Sequence, residues 1–239
     1  EDGRVVGVET AGGESIAARR VVFAGATRPL FETMLEPTLP APHPYLKRLR
    51  RMETSYSYFI AFWGVTCDDL GGSPIGNKEV FVDYDLEREY VDLRHGEYNP
   101  DFPFFILIPS YADRSAVPGG RGQTLCASLK YHDCSDGGPA REFLADELLE
   151  RVQKHLPDLS RGDIDVLETV TPETIERWTG NTEGAPYGWA HTPQQVGLHR
   201  PGPNTPIEGL HLAGHWTRPG GGVASVIVSG RTLARRLLR

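Results

Sequence analysis

The chain has 239 residues, 39% of them hydrophobic and 24% charged, with a formal net charge of -7, so it can bury a full core as one large domain or two modest ones and is neither disordered nor fibrous in composition. The acidic balance argues against binding a phosphate backbone, which excludes nucleic acid as the main partner. Cys67, Cys126 and Cys134 are odd in number, without CxxC spacing or a matching His pair, so neither a disulfide scaffold nor a metal site is expected and a reducing, cytoplasmic setting fits.

In chain order, the alternation in Arg4 to Glu9, the turn at Gly12 and Gly13 and the run "SIAARRVVFAG" predict a hairpin followed by a strand at Val21, Val22 and Phe23 buried on both faces. A helix is expected near Pro29 to Leu35. "EPTLPAPHP" carries four prolines, so it reads as a link between structural regions. Strands are then expected in "SYSYFIAFWGV", "EVFVDYD", "EYVDL", "FPFFILIPS" and "QTLCASLKY", separated by Gly, Pro, Asn and Asp clusters that signal a largely antiparallel sheet. "PAREFLADELLERVQKHLPDL" predicts a helix with Phe143, Leu144, Leu148, Val152 and Leu156 inward, Pro139 near its start and Pro157 as its stop. "DIDVLETVTPETIERWTGN" reads as a strand and a short helix ending near Gly180. A long Gly/Pro-rich loop follows, carrying Tyr187, Trp189, His191 and His199, then a strand in "GLHLAGHW". The last element is a helix with Val223, Val226, Ile227, Leu233, Ala234, Leu237 and Leu238 inward.

Gly220, Gly221 and Gly222 open that helix. Without Cβ atoms their backbone can approach a ligand closely, and the helix start offers unpaired N–H groups and the positive end of a dipole to a phosphate or another electron-rich group. Ser225, Ser229 and Gly230 would let the helix press against a strand or a ring system. A tight turn capping an ordinary amphipathic helix is the competing reading of the glycines.

The stretch "YGWAHTPQQVGLHRPGPNTPIEGLHLAGHWTRPGGGVASVIVSG" resembles the C-terminal signature of the flavoprotein family that includes phytoene desaturases, carotenoid ketolases and isomerases, and retinol saturases, within the wider amine-oxidase-like group. The opening "GRVVGVETAGGESIAARRVVFAGATRPLFETML" resembles the segment that follows the early nucleotide-binding portion in that family. The resemblance implies an α+β chain forming the C-terminal portion of a two-domain, glutathione-reductase-like FAD/NAD(P)-binding flavoprotein. Its regions would be 1–36 (part of the FAD-binding domain), 45–175 (an antiparallel-sheet substrate domain with a helix) and 176–239 (the loop, strand and helix that complete the FAD-binding domain). It further implies that Gly214, Pro219, Gly220, Gly221, Gly222 and Val223 lie along FAD. Many relatives carry an acid where this chain has His215, so both a cofactor-facing and a solvent-facing histidine stay open.

Family members begin with a strand, a GxGxxG turn and a helix, with an acid about 20 residues later; no such unit is found here. The expectation is therefore a C-terminal fragment whose flavin binding alone is weak, the missing segment lying on the same or a separate chain. Catalysis of this type needs no nucleophile or metal, because the flavin takes a hydride and the protein supplies orientation and a dry apolar cavity. The catalytic residues are not identified by the sequence. Tyr187, Trp189 and His191 are the substrate-side candidates, and Tyr56, Tyr58, Phe59, Phe62 and Trp63 read as core that could also floor a lipophilic tunnel. The expected function is FAD-dependent desaturation, saturation or isomerisation of an apolar, polyene-like small molecule, with peripheral membrane contact left open. The alternatives are a non-catalytic module or half of a split flavoprotein, and a flavin amine oxidase.

Overall fold

The structure is a computed structural model that describes residues 2–35, 43–71, 76–131 and 141–239, the side chain of Pro118 excepted. In chain order its elements are β1 (Gly7–Glu9), β2 (Ser15–Ala17), β3 (Val21–Phe23), α1 (Thr27–Pro29) running into a π-helical turn (Leu30–Met34), α2 (Pro44–Arg50), β4 (Ser57–Val65) and β5 (Asn77–Val80). There follow α3 (Leu86–His95), β6 (Phe104–Leu107), α4 (Pro109–Ala112), β7 (Gln123–Tyr131), α5 (Arg141–Gln153), β8 (Ile164–Val170), α6 (Pro172–Thr179), β9 (Leu210–Leu212) and α7 (Val223–Leu237). They fall into two compact units, one of residues 1–55 with 175–239 and one of residues 56–174. The proline-rich link expected at 36–44 lies mostly outside the described residues, as do Pro139 and Cys134; residues 45–55, read from sequence as part of the substrate region, belong to the first unit.

In the first unit β1 and β2 form the expected hairpin, with Gly7 opposite Ala17. β3 pairs in parallel with β9, Val21 opposite Leu210 and Phe23 opposite Leu212, which joins the two ends of the chain. The expectation that β3 is buried on both faces is corrected: Val22 is 50% exposed, because no layer among the described residues covers its side of this two-stranded pair. The other side rests on a core of Phe31, Leu46, Leu49, Trp189, Leu212 and Trp216. α7 seats on it through few residues. Ser229 and Leu233 are buried, the Ser229 hydroxyl accepts from the Gly214 amide at 3.2 Å, and Arg20 donates to the Leu237 carbonyl at 2.7 Å.

The inward face expected for α7 is therefore rotated. Val223, Ile227 and Leu238 are 78%, 63% and 88% exposed and Ala234 is also exposed, while Val226 and Leu237 are half-buried beside Leu233. A Cβ built at Gly230 would meet nothing within 4 Å, so the close packing expected there is made by Ser229 instead.

The second unit is a five-stranded antiparallel sheet in the order β5-β6-β7-β4-β8. Period-two alternation sorts its residues: Phe59, Ala61, Trp63, Leu125, Ala127 and Leu129 turn to one face, where Leu144, Leu148, Leu149 and Val152 of α5 cover them. Phe143, expected inward, is 55% exposed; the covering stripe starts one residue later, at Leu144. The opposite face carries Tyr58, Ile60 and Phe62 on β4 beside Lys130, Ser128 and Cys126 on β7, and Phe62 remains 43% exposed. Phe59 and Trp63 are thus core, whereas Tyr58 and Phe62 lie on the side that α5 leaves open.

Two strand expectations change. "EVFVDYD" pairs only as far as Val80, within β5. "EYVDL" is not a strand but lies inside α3, where the Asp85 carboxylate accepts from the Arg88 amide at 3.0 Å, Glu87 and Glu89 occupy the first turn, Arg94 and His95 the last, and Gly96 closes the helix at φ 70°.

A glycine turn over a buried arginine: the candidate cofactor site

β9 ends at Leu212, and the chain turns through Gly214 (φ +91°), where a Cβ would stand 3.2 Å from the Ala24 carbonyl oxygen. This close approach binds the exits of β3 and β9 together. His215, Trp216 and Thr217 follow, and residues 218–222 carry the chain into α7. Among the described residues no side chain caps α7; its first turn is closed by the Val226 amide donating to the Gly222 carbonyl at 3.0 Å. The amides of Val223, Ala224 and Ser225 are thus without intrahelical acceptors, at the positive end of a 15-residue helix.

The three glycines meet different surroundings. A Cβ at Gly220 (φ +132°) would lie 2.6 Å from His191 Nε2 and 3.4 Å from Arg200 Cζ, and one at Gly221 would lie 2.8 Å from Tyr187 Cβ and 2.9 Å from its Cα. At Gly222 (φ +95°) a Cβ would meet nothing within 4 Å among the described residues. The first two glycines are needed to lay the turn on the aromatic loop, and the third opens outward at the uncapped helix start. The turn is therefore filled from beneath and open above, which suits a phosphate or an electron-rich ring set against the α7 amides. FAD, the group implied by the resemblance, fits these residues.

The loop beneath is tied down by its backbone. The Ser55 amide donates to the Gly188 carbonyl at 2.7 Å and the Ala190 amide to Glu53 at 2.9 Å. Gln195 clamps the same two strands of chain, accepting from the Glu53 amide at 2.7 Å and donating to the Glu53 and Ala190 carbonyls at 3.0 and 3.1 Å. Trp189, a substrate-side candidate from sequence, is fully buried, edge-on to Trp216 at 4.9 Å and under Arg28 at 5.2 Å; its indole packs the core beneath the turn. Tyr187 and His191 are the members of that trio brought against Gly221 and Gly220.

His215 is half-buried, and its protonation follows from its neighbours. Asn181 Oδ1 accepts from Trp216 Nε1 at 2.9 Å and stands 3.1 Å from His215 Nε2. An indole N–H can only donate, so the shared atom is the amide oxygen, and His215 Nε2 must carry its own proton. The neutral ring then presents Nδ1 as an acceptor. Burial, and secondarily the charge of Arg200, hold the His215 pKa below the ordinary histidine value, and His191 is depressed for the same two reasons. Both shifts favour the neutral ring.

Arg200 and Asn181 are the residues sequence reasoning missed. Asn181 gave no signal, being one of many polar residues next to a glycine. Arg200 did give one: between Glu183 and Glu208 it is the only formally charged side chain, and a solitary charge in an apolar Gly/Pro loop needs a reason.

Comparison with known proteins bears on this geometry. Residues 1–238 match the family model described as flavin containing amine oxidoreductase. The chain is 27% identical to hydroxyneurosporene desaturase of Rubrivivax gelatinosus, covering 99% of this chain and 45% of that protein. It is 28% identical to the chloroplastic prolycopene isomerase of Daucus carota, covering 99% and 38%, and 29% identical to all-trans-zeta-carotene desaturase of Myxococcus xanthus, covering 99% and 45%. It spans less than half the length of each. Among solved structures, an oxidoreductase from Methanosarcina mazei superposes with a TM-score of 0.55 at 16% identity over 98% of this chain and 47% of that one. Cyclohexylamine oxidase from Brevibacterium oxydans does so with a TM-score of 0.51 at 16% identity, over 96% and 46%; both likenesses concern the fold.

Proposed function

Because the chain belongs to the flavin-containing amine oxidoreductase family, we propose that it forms the C-terminal part of an FAD-dependent oxidoreductase acting on an apolar polyene by desaturation, saturation or isomerisation. One observation carries the cofactor reading: α7 begins without a side-chain cap beside Gly222, where a built Cβ would meet no atom of the described residues within 4 Å. Gly214, Pro219, Gly220, Gly221, Gly222 and Val223 are the residues assigned to FAD, with the α7 amides as donors and His215 Nδ1 as an acceptor in place of a carboxylate. FAD would supply the hydride acceptor. Tyr187 and His191 would line the substrate side of the turn, and Trp189 would support them from the core.

The polyene reading is supported by relatives named as carotenoid desaturases and a prolycopene isomerase. It is also supported by the sheet face bearing Tyr58, Ile60 and Phe62, which α5 leaves open and which offers aromatic and aliphatic contact to a long apolar chain. We assign the adenosine half of FAD to polypeptide corresponding to the part of the relatives that this chain does not span. The exposed Val223 and Ile227 on α7 and Leu238 at its end, with Val22 on β3, are the apolar surface such polypeptide would cover. Among the described residues no helix is long and apolar enough to cross a membrane.

The test is reconstitution with FAD, of the full-length protein and of residues 1–239 alone, followed by anaerobic addition of acyclic carotenes in detergent. The full-length protein is expected to turn yellow and to change the polyene absorption spectrum, and the shorter chain to bind FAD more weakly. A protein that stays colourless with FAD ends the flavin reading. Flavin bleaching by amines with hydrogen peroxide on re-aeration, and none by carotenes, replaces the polyene by an amine.

A further inference from the structure

Arg200 is fully buried. Its Nη2 donates to the carbonyls of Tyr187, Trp189 and His215 at 3.1, 2.9 and 2.9 Å. Its Nε and Nη1 have no hydrogen-bond partner among the described residues. The guanidinium lies against the glycine turn, since a Cβ at Gly220 would stand 3.4 Å from Cζ and 3.5 Å from Nε. The titratable groups coupled to it are His191 and His215, both held neutral as argued above. Among the described residues Arg200 is paired with no carboxylate.

A buried, unpaired cation is expensive; the effective penalty is several kcal/mol per ion even after relaxation. Burial alone pushes the Arg200 pKa down to about 10, and the side chain still carries its charge at neutral pH. A clamp on three carbonyls could be built from a neutral amide at far lower cost, so carbonyl binding does not explain why the group is charged. Nη2 is spent on those carbonyls, Nε is left over beside the turn, and Nη1 is likewise without a partner among the described residues.

We propose that Arg200 is a positioning residue that fixes one positive charge beneath the glycine turn, so that the site favours the reduced over the oxidised form of its cofactor. The proposal rests on the flavin reading above. With FAD bound, a hydride, one proton with two electrons, would leave a substrate C–H bond and bring one negative charge to the neutral oxidised ring; where a double bond forms, the adjacent carbon would release its hydrogen to solvent as a proton. A fixed cation therefore attracts the product of that transfer more than the starting state, while three carbonyls and two neutral imidazoles do not discriminate in this way.

The experiment is a spectroelectrochemical titration of the full-length protein loaded with FAD, in the unaltered form and as Arg200→Lys and Arg200→Gln. Arg200→Gln is expected to lose at least tenfold in preference for reduced over oxidised flavin, a fall of about 30 mV for a two-electron couple; Arg200→Lys is expected to change less than twofold. Should Arg200→Gln fail to fold, the unaltered protein still decides the matter. Its reduced flavin is expected to keep the absorbance of the anion throughout the neutral pH range, and a neutral reduced flavin overturns the proposal. An Arg200→Gln protein that is less heat-stable but has an unchanged potential also overturns it, leaving a structural clamp. Absence of FAD binding in the unaltered protein would instead sink the flavin reading itself.

Discussion

Gly220, Gly221 and Gly222 are consecutive, yet each is glycine for its own reason, and the difference separates packing from ligand binding. At Gly221 the obstacle is the Cα and Cβ of Tyr187, 2.9 and 2.8 Å from a built Cβ, so relief requires moving backbone. At Gly222 the space is open and only the φ of +95° resists a side chain. Gly221→Ala is therefore expected to push the Tyr187 segment away and to cost about 1–3 kcal/mol, as overpacking does. Gly222→Ala should cost about 1–3 kcal/mol of backbone strain without disturbing Tyr187. Denaturant titration gives the two costs, and tyrosine and tryptophan near-UV dichroism should change for Gly221→Ala alone. Equal spectra for the two variants would mean the turn does not lie on Tyr187.

Elements were legible in the sequence where one physical signal dominated. β4 is a run of aromatic and aliphatic residues, Tyr58 to Val65, which the fold buries on alternate positions, and α5 shows its apolar spacing because it covers a sheet on one side only. In α3, Tyr90 and Val91 suggest a strand, while the deciding information lies in its ends, Asp85 and Gly96. The apolar stripe of α7 does not mark its inner face: Val223, Ile227 and Leu238 are apolar but outward, and the seat is made by the polar Ser229 with Leu233, a pairing hydrophobic periodicity cannot rank. The glycine turn was legible as a motif, whereas Arg200 and Asn181 act through contacts 15 and 35 residues away in the chain. The α5 assignment carries a direct expectation. Leu148 is fully buried between helix and sheet, so Leu148→Ala should lower the unfolding free energy by about 2–5 kcal/mol, whereas Phe143→Ala, on the exposed side, should fall within about 0.5 kcal/mol of the parent. A comparable loss for both would return Phe143 to the inner face.

At the scale of the whole molecule, pH couples these local environments. His155, His191, His211 and His215 all have pKa values held below 6.5, burial being the leading cause in each and a neighbouring cation adding to it: Lys78 for His155, Arg200 for His191 and His215, and Arg20 for His211. In the unfolded chain each would titrate near its ordinary value. As pH falls through that value the unfolded state takes up protons that the folded state resists, so ν_U exceeds ν_N and stability declines with falling pH. Asp113 and Asp163, whose carboxyls are held low chiefly by hydrogen bonds from Ser115 and Ser160, act in the same direction but only below about pH 4. The two windows are thus separable. Each histidine is partly solvent-exposed, so its contribution stays beneath the ceiling of about 1.4 kcal/mol per pH unit for one proton. The expected outcome is a denaturation midpoint that drops between about pH 7 and pH 5, above the window in which Asp113 and Asp163 act. The His191→Gln, His215→Gln double variant should show a shallower drop in that interval and an unchanged one below it. If the double variant keeps the full slope, the two imidazoles beside Arg200 are not held neutral by the fold, and the single uncompensated charge assigned to the glycine turn loses its footing.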